Sequence, residues 1–148
     1  MTPEQILDRV PRDAPETGEI GFSVPDNYNA SSLLFDNLER GRAEKIAVYS
    51  DRGNRTYGEL AEDANRFGNG LLALGLGRGD RVLLLMDDTP SYPAAIFGAI
   101  RAGMVPILAN TLSSPDLISF YIEDAGARVM IFDESHAMQN AGGGKSER

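Results

Sequence analysis

The sequence predicts an α/β fold with a predominantly parallel sheet and crossover helices, extending over residues 25–133. Two apolar runs, Arg81–Met86 and Met104–Leu108, lack the alternation of a half-exposed strand and are typical of buried strands, and Arg128–Phe132 is the last predicted strand. Helical patterns separate these runs, and strand, helix, strand at this spacing requires right-handed crossovers in a parallel sheet. With 148 residues, 42% of them hydrophobic, the chain can form one domain with a core.

The segment before the first buried strand predicts a helix, a pair of short strands and a second helix. Ser31–Arg42 carries three leucines on one helical face, which predicts the first helix. Ile46–Ser50 and Arg55–Thr56 are short extended runs, and residues 51–54 (Asp-Arg-Gly-Asn) between them are typical of a turn. The two strands are therefore expected to pair.

The second helix has a clear beginning and a clear end. Thr56 followed three residues later by Glu59 predicts a capping box at its start. Its apolar stripe has spacings of four and three residues, and consists of Leu60, Ala64, Phe67, Leu71 and Leu74. Gly75 is expected to end the helix in the left-handed conformation.

Two crossover helices follow. We expect Asp88 or Thr89 to cap the first, with Pro90 in its first turn. Its predicted buried stripe is Ala95, Ile96, Ala99 and Ile100. For the second helix, Ser113 or Ser114 is the expected cap, Pro115 the first helical residue and Gly126 the stop.

The two ends differ in character from this body. Residues 1–24 contain three prolines and little periodicity, which predicts an N-terminal arm. Residues 134–148 are small and polar, with three consecutive glycines, which predicts a flexible tail.

Composition excludes several classes of protein. The net charge of −8 disfavours nucleic acid and anionic lipid as partners. The absence of cysteine excludes disulfides and thiolate sites, and the single histidine, His136, makes a histidine-built metal site or a base role improbable. Met1–Val10 lacks the apolar run of a signal peptide, so we expect a cytoplasmic protein. The apolar stretch Tyr92–Ala109 is interrupted by Arg101, Gly103 and Pro106, which favours a helix and a strand over a membrane span.

Two glycine-rich segments superficially resemble phosphate-binding loops. Gly75–Gly79 follows a helix and precedes a strand, whereas a phosphate loop follows a strand and precedes a helix, so it predicts a helix stop and turn. The segment 142–146 (Gly-Gly-Gly-Lys-Ser) has Gln139 where that pattern requires glycine, and is read as part of the flexible tail.

Asp87, Asp88 and Asp133 lie at predicted strand ends, where ligands gather in open parallel sheets. They could hold Mg²⁺ or, in a receiver domain, accept a phosphoryl group. A receiver domain also needs a lysine at a strand end, and neither Lys45 nor Lys145 is so placed. We therefore favour Asp87 and Asp88 as acids at a helix start, stabilised by the helix dipole.

Four segments resemble the adenylate-forming ligases, the acyl-CoA synthetase superfamily. Thr56–Leu60 (Thr-Tyr-Gly-Glu-Leu) is similar to their first core motif, and Ala99–Ile107 to their second. Leu108–Leu112 and Val24–Ala30 are closer still to benzoate- and 4-hydroxybenzoate-CoA ligases. The resemblance extends from about Phe22 to Phe132 and implies the N-terminal part of a large synthetase domain.

The resemblance implies a ligase that uses ATP, CoA and Mg²⁺ to convert an aromatic acid to its CoA thioester. In the family, the phosphate loop, the adenine and ribose contacts and the catalytic lysine follow the last strand present here. We therefore expect no catalytic, cofactor-binding or metal residue in this chain, which would be a structural portion inactive by itself. Its expected partner is the remainder of the ligase polypeptide, or a second copy in a homodimer.

Two other hypotheses remain open on the sequence. The chain could be a non-catalytic binding or regulatory module of similar fold, such as a receiver-like domain. It could also be an assembly domain without a small-molecule ligand.

Overall fold

The computed structural model describes residues 27–136. The helices are α1 Ser32–Glu39, α2 Tyr57–Ala73, α3 Ser91–Arg101 and α4 Pro115–Ala125. The strands are β1 Ile46–Val48, β2 Arg55–Thr56, β3 Arg81–Leu85, β4 Val105–Leu108 and β5 Ala127–Phe132, and a 3-10 turn follows at Glu134–His136. The predicted arm 1–24 and the part of the predicted tail after His136 lie outside the described residues.

The main sheet has three parallel strands in the order β4-β3-β5. Leu84 of β3 is in register with Leu108 on one side and Ile131 on the other. β1 and β2 form a separate antiparallel pair. The predicted α/β fold with a parallel sheet and crossover helices is thus confirmed.

The central strand β3 carries the core. Residues 82–85 are completely buried, because helices cover both faces of the sheet. Val82 and Leu84 pack with Leu71 and Ala99 of α2 and α3. On the opposite face, Leu83 and Leu85 pack with Ile118 of α4.

The edge strands are less covered than their apolar sequences suggest. The prediction that β4 is a buried strand is wrong at both of its ends, since Val105 is 48% exposed and Leu108 is 53% exposed. Continuous apolar sequence predicts burial on both faces of a strand, but it does not reveal that the strand lies at the edge of the sheet. β4 hydrogen-bonds only to β3 among the described strands.

Helices α2 and α3 approach closely through glycine. A Cβ atom added to Gly68 would lie 2.8 Å from the carbonyl oxygen of Gly98, and one added to Gly98 would collide with the carbonyl oxygen of Ala64. The small residues of α3 are therefore its buried ones: Ala94, Ala95, Gly98 and Ala99. The predicted stripe is correct for Ala95 and Ala99, whereas Ile96 and Ile100 are only partly buried.

Most of the predicted helix ends are confirmed. The Thr56 hydroxyl accepts from the amide of Glu59 at 3.2 Å, and the Glu59 carboxylate accepts from the amide of Thr56 at 2.9 Å. Ser114 caps α4, and Pro115 is its first residue. Gly75 and Gly126 adopt φ values of 80° and 59°, the left-handed conformation expected after a helix.

Three predicted boundaries are wrong. α1 ends at Glu39 rather than Arg42, because Gly41 turns the chain with φ of 68°. β1 ends at Val48, and Ser50 instead donates its amide to the Asn54 side chain in the turn. α3 begins at Ser91 with Pro90 as N-cap and no side-chain cap, so neither Asp88 nor Thr89 caps it.

No helix within residues 27–136 has the length and apolarity that a membrane crossing requires. The apolar stretch from Tyr92 divides into α3 and β4, as its breaks predicted.

Candidate functional site

Polar side chains gather at the carboxyl end of the sheet. Asp87 follows β3, Asp133 follows β5, and the 3-10 turn Glu134–His136 folds back towards Asp87. Because β3 and β5 are parallel neighbours, their carboxyl ends meet at one edge of the sheet. This is the edge where open α/β sheets bind ligands.

Asp87 is held by the segment that follows β5. Its carboxylate lies 2.8 Å from Nε2 of His136 and accepts a longer hydrogen bond, 3.4 Å, from the Ser135 hydroxyl. Its backbone amide donates to the carboxylate of Asp133 at 2.7 Å. The hydrogen bond with His136 is the main reason that the pKa of the Asp87 carboxyl lies below its ordinary value.

The prediction that Asp87 and Asp88 stabilise a helix start is therefore wrong for Asp87. α3 begins four residues later, and the Asp87 carboxylate faces the turn after β5 instead. Sequence reasoning also missed the contact between Asp87 and His136, which are 49 positions apart. The adjacency of parallel strand ends was the only signal that could have suggested it.

These acids do not assemble a metal centre within residues 27–136. No group of three or more histidine, aspartate or glutamate side chains in that range is arranged to hold an ion. Asp133 uses a carboxylate oxygen on the Asp87 amide, and Asp87 is engaged by His136. The expectation that this chain supplies no metal residue stays a prediction.

An open cleft of about 330 Å³ lies beside this cluster, between the carboxyl ends of β3 and β4. It is lined by Met86, Asp87, Asp88, Tyr92, Ala109, Asn110 and Thr111. Burial, and secondarily the charge of Asp88, raises the pKa of the Tyr92 hydroxyl above its ordinary value. With two acids and no basic side chain in its wall, the cleft repels a phosphate group.

The glycine turn Gly75–Gly79 lies at the opposite end of the sheet, between α2 and β3. The Gly77 amide donates to the Asp80 carboxylate at 2.7 Å, and Arg128 of β5 donates to the same carboxylate at 2.6 Å. The amide bond from Gly77 is the main reason that the pKa of Asp80 lies below its ordinary value. The predicted helix stop and turn is confirmed; the second glycine-rich segment, 142–146, lies outside the described residues.

A family model described as "AMP-binding enzyme" matches residues 35–147. The chain belongs to this family. The predicted resemblance to adenylate-forming acyl-CoA synthetases is thereby confirmed. The segment that resembles the first core motif, Thr56–Leu60, forms the start of α2. The segment that resembles the second, Ala99–Ile107, connects α3 to β4.

The curated members that match include several aryl acid ligases. The benzoate–CoA ligase of Thauera aromatica is 39% identical over 115 residues, which are 76% of this chain and 22% of that protein. The 3-hydroxybenzoate–CoA ligase of Aromatoleum sp. (strain CIB) is 38% identical over 108 residues, 73% of this chain and 21% of that protein. By contrast, a long-chain-fatty-acid–CoA ligase of Salmonella typhimurium is 34% identical over 132 residues, 88% of this chain and 23% of that protein. The chain thus spans about a fifth of the length of these relatives.

Solved structures of CoA ligases also superimpose on this chain. A benzoate CoA ligase from Burkholderia xenovorans LB400 superimposes with a TM-score of 0.72 at 37% identity, over 80% of this chain and 24% of that one. An anthranilate CoA ligase in complex with anthranoyl-AMP gives a TM-score of 0.73 at 32% identity, over 76% of this chain and 22% of that one. The three-stranded parallel sheet and its helices are therefore a recurrent part of the larger ligase fold.

Proposed function

We propose that this chain is the N-terminal portion of an ATP-dependent aryl acid–CoA ligase whose acid is benzoate or 4-hydroxybenzoate. The observation that carries the proposal is the higher identity to benzoate and hydroxybenzoate ligases, 38–39%, than to the long-chain-fatty-acid ligase, 34%. In such a reaction the acid's carboxylate attacks the α-phosphate of ATP, giving an aroyl-adenylate and releasing pyrophosphate. The CoA thiol then displaces AMP and forms the thioester.

Two features of residues 27–136 support the proposal that ATP is held elsewhere in the enzyme. The glycine turn precedes a strand rather than a helix, so its amides are not gathered at a helix start, and Asp80 already occupies the amide of Gly77. The cleft at the opposite edge is acidic. In the proposed ligase, ATP, CoA and Mg²⁺ are held by the remainder of the polypeptide, and this portion contributes no catalytic, cofactor-binding or metal residue.

The role that we propose for this portion is to support the rest of the enzyme. Residues 82–85 of β3 are completely buried and fix the positions of α2, α3 and α4 around them. The half-exposed apolar residues of β4 leave a surface on which a partner could pack. We propose that this partner is the remainder of the ligase. The alternative is a second copy of the chain in a homodimer. We further propose that the protein works in the cytoplasm, without nucleic acid or membrane as a partner.

A receiver-like regulatory module is the second candidate, and the described residues offer it no support. Asp87, its candidate phosphoryl acceptor, is engaged by His136 and Ser135. Lys45, the one lysine among the described residues, precedes β1 rather than ending a strand of the parallel sheet.

The direct test is to assay the 148-residue chain alone with benzoate, ATP and CoA. We expect no benzoyl-CoA, no benzoate-dependent release of pyrophosphate, and no calorimetric ATP affinity better than millimolar. Stabilising the charge of a transferring phosphate needs preorganised cationic donors, which residues 27–136 do not gather. Benzoate-dependent pyrophosphate release by this chain alone would overturn the proposal.

A further inference from the structure

We propose that Asp87 and His136 form a pH-sensitive clasp that holds the segment after β5 against the carboxyl end of β3. When both ring nitrogens of His136 are protonated, the ring is positively charged, the two side chains form an ion pair and the clasp is tight. When His136 is neutral, only a hydrogen bond remains and the clasp is weaker. The inference does not depend on the proposed ligase activity, because it concerns contacts within residues 87–136.

The clasp is made of contacts between the ends of two neighbouring strands of the sheet, β3 and β5, rather than within one loop. The Asp87 carboxylate lies 2.8 Å from Nε2 of His136. The Asp87 backbone amide donates a hydrogen bond to the Asp133 carboxylate at 2.7 Å. The carboxylate and the amide of a single residue are thus both engaged by the segment that leaves β5. The Ser135 hydroxyl adds a weaker contact at 3.4 Å.

The pair is partly buried, so the strength of the contact depends on the charge of its two side chains. The His136 side chain is only 14% exposed, whereas that of Asp87 is 38% exposed. A partly buried ion pair is screened less by salt than one in open solvent. Histidine is the side chain whose charge ordinarily changes between pH 5 and 8, so this contact can respond to mild changes of pH.

The surroundings of the pair carry both signs of charge. They are Asp133 and Glu134 on the segment of His136, Asp88 beside Asp87, and Arg52 in the turn between β1 and β2.

The clasp is expected to weaken on both sides of a pH window. At higher pH a histidine loses its charge, and the ion pair is then lost. On the acid side, the hydrogen bond from His136 lowers the pKa of Asp87, so this carboxylate stays charged below the pH at which an ordinary aspartate takes up a proton. The clasp is therefore expected to be tighter at pH 5 than at pH 8.

The test is amide hydrogen exchange in the full 148-residue chain at pH 5 and at pH 8, corrected for the intrinsic pH dependence of exchange. The Asp87 amide reports on the clasp because it donates to Asp133. We expect its protection to fall about two- to fivefold at the higher pH, the range that partly exposed ion pairs support. His136→Gln should remove this pH dependence, and the control Ser135→Ala should keep it, since that variant retains the pair.

Two results would overturn the clasp: equal Asp87 protection at both pH values in the unaltered chain, or the same pH dependence in His136→Gln. If His136→Gln does not fold, the unaltered chain still decides. It has a single histidine, so the Hε1 signal of its imidazole can be followed without ambiguity by NMR. This signal and the Asp87 amide shift should follow the same pH curve, and two different curves would refute the proposal.

Discussion

Gly98 is the residue on which the packing of α2 against α3 depends most. A side chain there would collide with the backbone of Ala64, and the nearest atoms belong to a helix rather than to a flexible side chain. We expect Gly98→Ala to lower the free energy of unfolding by about 1–3 kcal/mol, the usual range for overpacking. Urea denaturation measures this.

The matched control is Gly70→Ala on α2. An added Cβ at Gly70 meets nothing within 4 Å, so the substitution should gain the higher helix propensity of alanine, about 0.5–1 kcal/mol. If both substitutions stabilised the chain, the close approach of the two helices would be wrong.

Asp80 connects the turn after α2 to β5 through its bonds with Gly77 and Arg128. Because these bonds hold its pKa below the value in the unfolded chain, ionised Asp80 contributes stability at neutral pH. That contribution is lost as the pH falls through the lowered pKa. The stability difference between the unaltered chain and Asp80→Asn should be constant above about pH 5 and should shrink towards pH 3. A difference that stays the same in urea titrations from pH 6 to pH 3 would exclude this role.

At the level of single elements, α2 has the most complete start signal among the helices of residues 27–136. Thr56 and Glu59 satisfy each other's backbone amides, which leaves fewer unpaired donors in the first turn. We expect Thr56→Ala to cost about 1 kcal/mol of stability, with Thr56→Ser as the control that keeps the hydroxyl. Equal urea midpoints for Thr56→Ala and the unaltered chain would contradict the capping box.

The same element shows what a sequence can reveal. The ends of α2 and α4 were predictable because caps and left-handed glycines act through neighbouring residues. The start of α3 was not, because two candidate caps, Asp88 and Thr89, precede Pro90, and the helix uses neither of their side chains. The contact of Asp87 with His136 depends on strand order, which local patterns do not contain.

Strand order also explains why the burial of β4 was predicted wrongly. β3 and β4 have equally apolar sequences, yet β3 is central and β4 is an edge among the described strands. Arg81 illustrates the same limit, because its guanidinium donates to the carbonyl oxygens of Ala125 and Gly126, 44 and 45 positions away. It ties the end of α4 to the start of β3, and no spacing rule predicts it.

For the whole molecule, we propose that this α/β unit is an interchangeable structural part of an aryl acid–CoA ligase. If the substrate and nucleotide contacts lie elsewhere, the unit should transfer between relatives without carrying acid preference with it. A chimera of the Thauera aromatica benzoate–CoA ligase, with its matching segment replaced by residues 27–136 of this chain, makes this testable. The corresponding chimera of the Salmonella typhimurium long-chain-fatty-acid ligase is its control.

The decisive measurement is CoA-thioester formation by the two purified chimeras, each assayed with benzoate and with a long-chain fatty acid. The account predicts that each chimera is active and keeps the acid preference of its recipient enzyme. A well-folded benzoate-ligase chimera that makes no benzoyl-CoA, or a fatty-acid-ligase chimera that changes its preference to benzoate, would contradict it.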